Sequence, residues 1–126
     1  MKTLIDTTAW YDYFSCEDSP PGDRVFALIR SGEGCTTGVI IAEVLDAVEE
    51  RARVPGVARA MLSLPCLEDT LEIWQHTAQL SFRTRQLGFR PPLAVLHIAS
   101  HSIYHHVPIF AARNRFQHIP GVKLRE

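Results

Sequence analysis

Short apolar segments rich in β-branched residues alternate along this chain with longer stretches of helical period, and that alternation limits the fold more than any other feature. Lys2 to Ile5 reads as a strand running into a helix that begins near Ala9, with Thr7 or Thr8 capping the helix and Asp6 left free to point into a cleft. Ser19-Pro20-Pro21-Gly22 breaks the chain, and Arg24 to Arg30 forms a short helix closed by Ser31-Gly32. Cys35 to Thr37 is a brief strand ahead of VIIAEVLDAVEERARV, whose apolar residues recur at Val39, Ile40, Val44, Ala47 and Val48. Pro55-Gly56 interrupts that helix, a weaker one reaches Leu64, and a further strand is expected around Cys66 to Glu68. Asp69 or Thr70 caps a long helix from Leu71 to Leu87, which Gly88 ends. Pro91-Pro92 open a helix over LAVLHIASHSIYHH, Val107 to Ala111 is the strand after it, and Val122 to Leu124 is an edge strand. This succession predicts an α/β sandwich around a largely parallel sheet.

The chain has 126 residues, 46% of them hydrophobic, enough for one domain with a core of its own over residues 1–126. Thirteen Lys and Arg against fourteen Asp and Glu give a net charge of -1, so nucleic-acid binding would rest on a local basic patch. The N-terminal segment carries Lys2 and then an acid at position 6 where a secretory signal needs an apolar run, and no segment is apolar for long enough to span a membrane. A cytoplasmic protein is the expectation. Cys16, Cys35 and Cys66 are odd in number and without CxxC spacing, which suits packed thiols in a reducing compartment.

Two acids stand out. Asp6 ends the first strand, and in open parallel sheets ligands bind beyond the carboxyl ends of the strands. Burying a carboxylate there is costly unless it caps a helix, pairs with a cation or binds a metal. Glu43 lies early in the third helix among Ile40, Ile41, Ala42, Val44 and Leu45, where a single acid also serves as a partner for the helix dipole. Taken together the two suggest a metal pair.

LIDTTAW, TTGVIIAEVL, LEIWQHTAQLSFRTRQLGF, LHIASHSIYHHVPIF and FQHIPGVKL, in that order, resemble the PIN domain and within it the VapC toxin ribonucleases. The resemblance implies a PIN-like three-layer α/β/α sandwich with a small, mainly parallel sheet. It also implies a metal-dependent endoribonuclease, the toxin of a type II toxin–antitoxin system, whose carboxylates hold Mg²⁺ or Mn²⁺ so that a bound water attacks an RNA phosphodiester. Asp6 and Glu43 match the first two of about four acids. The third falls on Ala94 or Val95, which cannot bind a metal. The fourth falls on Asn114, or on Arg113 or Arg115 if the register of AARNRF shifts. Asn114 would ligate through its carbonyl oxygen without bringing charge.

Each absent carboxylate removes on the order of a few kcal/mol of attraction for a dication, so metal binding is expected to be weakened. Two readings follow: a VapC-like ribonuclease with a reduced acidic set, helped by an acid such as Asp12, Asp46 or Glu17, or a PIN domain without hydrolysis that binds RNA or an antitoxin. Thr7, Arg113 and Arg115 are the substrate contacts expected at the cleft, the arginines through RNA phosphates. The resemblance further implies a homodimer and a cognate antitoxin. The dense cluster Trp10, Tyr11, Tyr13 and Phe14 divides between core and one of those contacts.

His97, His101 and His105 recur every four residues on one helix face, the spacing by which two histidines share a transition metal such as zinc. No acid or cysteine lies on that helix. His97 also matches a histidine that PIN relatives often show in this helix, so the resemblance implies a packed or hydrogen-bonded histidine, with zinc the lesser reading, and His105 and His106 are read as solvated.

Overall fold

The computed structural model describes residues 1–15 and 18–126, so the expectations for Cys16 and Glu17 lie outside the described residues. Its elements are β1 (Thr3–Ile5), α1 (Thr7–Phe14), α2 (Pro20–Arg30), β2 (Gly34–Cys35), α3 (Gly38–Asp46), α4 (Val54–Leu62), α5 (Leu71–Gln86), α6 (Leu93–His105) and β3 (Ile109–Phe110), with a single 3₁₀ turn at Arg51–Arg53 ahead of α4. The strands form a parallel sheet in the order β2-β1-β3. The first strand in sequence is thus central, and its residues Thr3, Leu4 and Ile5 are fully buried. A strand buried on both faces reads as a continuous apolar run, as this one does.

The helices pack in pairs, α1 with α2 and α5 with α6, while α3 touches α1, α4 and α6. Leu4, Ile5, Cys35 and Ile109 from the sheet meet Trp10, Ile40, Leu96 and Ile98 from the helices in one core. The helix α6 is buried from Val95 to Ser102 without interruption. A helix enclosed on every side must satisfy its own polar side chains internally, and α6 carries His97, Ser100, His101 and Ser102 into the core.

Several boundaries differ from the sequence reading, each for a local reason. The third helix stops at Asp46, where the N–H groups of Ala47 and Val48 turn back to carbonyls near the helix end. Pro55 was expected to interrupt the third helix, which has already stopped at Asp46; it falls instead in the first turn of α4, where its missing N–H leaves no helix bond unmade and it helps to open that following helix. The segments around Cys66 and Leu124 make only single parallel bridges, Thr36 to Cys66 and Ile109 to Leu124. Cys35 is buried as expected, but Cys66 is exposed, because one bridge does not bring it under a helix. Among the described residues no helix is long and apolar enough to cross a membrane.

Candidate functional site

All three parallel strands deliver their carboxyl ends to one place. β1 leads directly to Asp6, β2 leads through Thr36 and Thr37 into α3 and Glu43, and β3 leads into the loop that carries Arg115. Asp6 is the N-cap of α1: its backbone is extended (φ -69°, ψ 155°) and its carboxylate accepts from the Thr8 N–H. The expectation that Thr7 or Thr8 would cap and leave Asp6 free is therefore corrected. Capping requires a side-chain acceptor one step before the first helical N–H groups, and only Asp6 stands there. Its other oxygen remains available to the cleft.

Both threonines serve the acids. The Thr7 hydroxyl donates to Glu43 Oε1 at 2.7 Å, and the Thr8 hydroxyl donates to Asp6 Oδ2 at 2.7 Å. Thr8 Oγ1 in turn accepts from the backbone N–H groups of Ala112 and Arg113, at 3.1 and 3.3 Å. One hydroxyl thus ties the loop after β3 to the start of α1, and that tether brings Arg115 inward.

The Arg115 guanidinium lies between the two carboxylates. Its Nη2 donates to Asp6 Oδ1 at 2.7 Å and to Glu43 Oε1 at 2.9 Å, while Nε donates to both Asp6 oxygens at 3.2 Å. The Asp6 side chain is fully buried, whereas Glu43 and Arg115 keep 27% and 25% of theirs exposed, so the cleft is narrow and partly dry. Burial raises the Glu43 pKa, but hydrogen bonds from Arg115 and Thr7 and the Arg115 charge outweigh it and hold the carboxyl below its ordinary value. Burial likewise disfavours the Arg115 cation, and its bonds to Glu43 and Asp6 more than reverse that effect.

The remaining sequence candidates fall around this triad. Asn114 is exposed and, among the described residues, makes no hydrogen bond to either acid. Arg113 stands at the rim, 3.6 Å from Asp12, so that acid already has a cation beside it. Val95 is buried in the first turn of α6 and Ala94 is half-buried, and neither offers a ligand. Of the registers open for AARNRF, the fold directs Arg115 to the acids.

A hydrated Mg²⁺ needs oxygen ligands at about 2.1 Å and as many anions as its charge requires. Here a monovalent cation, covalently part of the chain, already donates to both carboxylates. The Asp6–Glu43 pair as folded does not fit that ion. Beside it, a groove of about 500 Å³ runs between α1, α3 and α4, walled by Tyr11, Phe14, Val44, Ala47, Val48 and Val57. The Tyr11 hydroxyl reaches the Glu43 carbonyl oxygen at 3.4 Å, which places the groove next to the cleft. The aromatic cluster on α1 divides as expected: Trp10 is fully buried and stacks on Phe14, while Tyr11 stays exposed.

No family model matches the chain, and neither does any curated protein. Solved structures do. VapBC2 from Rickettsia felis bound to a promoter DNA fragment superimposes with a TM-score of 0.80 at 18% identity, covering 99% of this chain and 98% of its counterpart. The fold is that of a VapC-type PIN domain. DNA-bound VapBC from Salmonella typhimurium is similar to the same degree, with a TM-score of 0.80 at 17% identity over 99% and 97% of the two chains. VapBC-5 from Mycobacterium tuberculosis gives 0.71 at 19% identity over 99% and 98%. The VapC-type fold therefore spans the whole chain while its acidic cleft holds an arginine.

A second cluster lies where the sequence read packed histidines first and a transition metal second. Asp69, just before α5, places its carboxylate against His97 and His101 of α6, and one ligand atom from each of the three lies within 4.8 Å of the others. His97 is buried and hydrogen-bonded, as read from the sequence. His105, expected to be solvated, instead places Nε2 2.9 Å from the Glu68 carbonyl oxygen and stacks on His101. Packing of α5 on α6 sets that arrangement. Asp69 was missed as a site residue because its partners His97 and His101 lie on a separate helix, the nearer one 28 residues away, and its place before Thr70 marked it only as a cap.

Proposed function

We propose that this chain is the VapC-type member of a toxin–antitoxin pair and that, with Arg115 in place, it acts by binding a partner protein and does not hydrolyse RNA. The observation that carries this reading is the Arg115 guanidinium donating to both Asp6 and Glu43. It offsets one of the pair's two charges and lies between the carboxylates, where a dication would have to sit. The partner is an antitoxin-like chain that lays apolar side chains into the groove between Tyr11, Val44 and Val57. Exposed Trp74, Phe82 and Leu87 along α5 and its end suit a homodimer contact. A cytoplasmic site of action agrees with this role.

A second reading is favoured by the convergence of Asp6 and Glu43 at the carboxyl ends of the strands. In it the chain is an Mg²⁺- or Mn²⁺-dependent endoribonuclease once Arg115 is drawn away. A cleavage assay on bulk RNA with each metal separates the two. The wild-type protein is expected to leave RNA intact. Metal-dependent cleavage that disappears in Asp6→Ala would overturn the binding reading, and cleavage gained only in Arg115→Ala would assign the block to that arginine.

A further inference from the structure

The polar chemistry of the Asp69–His97–His101 cluster is unbalanced. Thr77 Oγ1 donates to the Ile73 carbonyl at 2.9 Å and lies 2.9 Å from His97 Nδ1. With that hydrogen on Ile73 the hydroxyl accepts from His97 Nδ1–H and the Nε2 lone pair faces Asp69 Oδ2 at 3.1 Å; with it donated to Nδ1, Nε2–H donates to Asp69. The first tautomer is the one that ligates a cation through Nε2. His101 is fully buried, and its Nε2 stands 3.4 Å from Asp69 Oδ1. That contact lacks hydrogen-bond geometry, so neither ring nitrogen has a hydrogen-bond partner among the described residues. Burial also pushes His101 down to about 4, which keeps the ring neutral at physiological pH. An unpartnered buried polar group costs about 1 to 3 kcal/mol, and a dication held with Asp69 and His97 would give His101 Nε2 the partner it lacks.

We propose that Asp69, His97 and His101 form a binding site for a zinc-class transition-metal ion, with the Nε2 atoms of both histidines and the Asp69 carboxylate as ligands. Imidazole nitrogen with carboxylate oxygen is the donor set of zinc and its neighbours, harder than thiolate and softer than the all-oxygen set of Mg²⁺. The carboxylate approaches His97 Nε2 at 3.1 Å through Oδ2 and His101 Nε2 at 3.4 Å through Oδ1, and one ligand atom from each of the three lies within 4.8 Å of the others. A small inward shift brings them to the roughly 3.3 Å between ligand atoms on tetrahedral bonds of about 2.0 to 2.1 Å. The His97–Thr77 bond is the outer-shell contact that fixes a ligating histidine's tautomer. Trp74 stacked on His97, with ring centroids 3.6 Å apart, holds the ring in place. Asp69 keeps 37% of its side chain exposed, which gives the ion a path in and leaves a coordination position for water. The bound ion pins the start of α5 to α6.

The test is zinc titration of tag-free protein, stripped with chelator and dialysed, read by bound-metal stoichiometry and by thermal unfolding. One equivalent is expected, with a rise in Tm. Asp69→Ala and His101→Ala are expected to abolish both effects, Thr77→Val to weaken zinc affinity about 10- to 100-fold, and Glu43→Gln to leave it unchanged. Where His101→Ala does not fold, Asp69→Ala at its partly exposed position decides. Absence of saturable zinc uptake, or uptake unchanged in Asp69→Ala, would overturn the site and leave a histidine–carboxylate hydrogen bond in its place.

Discussion

Two clusters of ionisable side chains lie in this domain, and they solve the same electrostatic problem in opposite ways. At the sheet's carboxyl edge two acids converge, and the chain supplies its own cation through Arg115. Between α5 and α6 a carboxylate and two imidazoles converge with no cation from the chain, and His101 is left with unpartnered nitrogens. The first is closed on itself, and the second has a place for an ion. A PIN-type fold thus does not by itself assign the metal to the strand-end cleft, since what decides is which cluster already contains a positive charge.

The largest expected effect breaks the closed cluster. Arg115→Ala leaves Asp6 buried and unpaired, and removing one partner of a buried ion pair costs about 3 to 5 kcal/mol. A chemical denaturation midpoint should fall accordingly, whereas a loss below about 1 kcal/mol would mean that the guanidinium holds little of the cleft together.

Thr8→Val should follow, at about 1 to 3 kcal/mol, because the backbone N–H groups of Ala112 and Arg113 lose their acceptor while side-chain volume is kept. If that tether positions Arg115, the double variant Thr8→Val/Arg115→Ala will cost less than the sum of the two single changes. Strict additivity would separate the tether from the arginine.

The smallest effect concerns pH. The folded Glu43 pKa is depressed, so its contribution is fully present above the unfolded value near 4.5 and is lost as pH falls through the lower folded value. Stability measured from pH 7 down to pH 3 should drop less steeply at the acid end in Glu43→Gln than in the wild type, and identical slopes would count against the Arg115–Glu43 pairing.

Much of the fold was legible before any coordinates. The strand–helix alternation pointed to the parallel sheet, the Thr70 cap and the Gly88 stop bounded α5, and Asp6 at the end of β1 marked the cleft. Helix ends were less legible: the third helix read as continuing to the Pro55 break, yet it stops at Asp46 and Pro55 lies in the first turn of α4, a difference of a few residues that periodicity does not resolve. The loop after β3 has no periodicity, so its register stayed open between Asn114 and its flanking arginines.

The sequence alone determined which residues were apolar and at what period, and hence the elements and the sheet, because those depend on neighbours within a few positions. Tertiary structure decided which cation meets which anion. Arg115 lies 109 residues from Asp6, and Asp69 lies 28 from His97. Electrostatic partnership over a few ångströms is set by where the chain returns, and no local pattern encodes that.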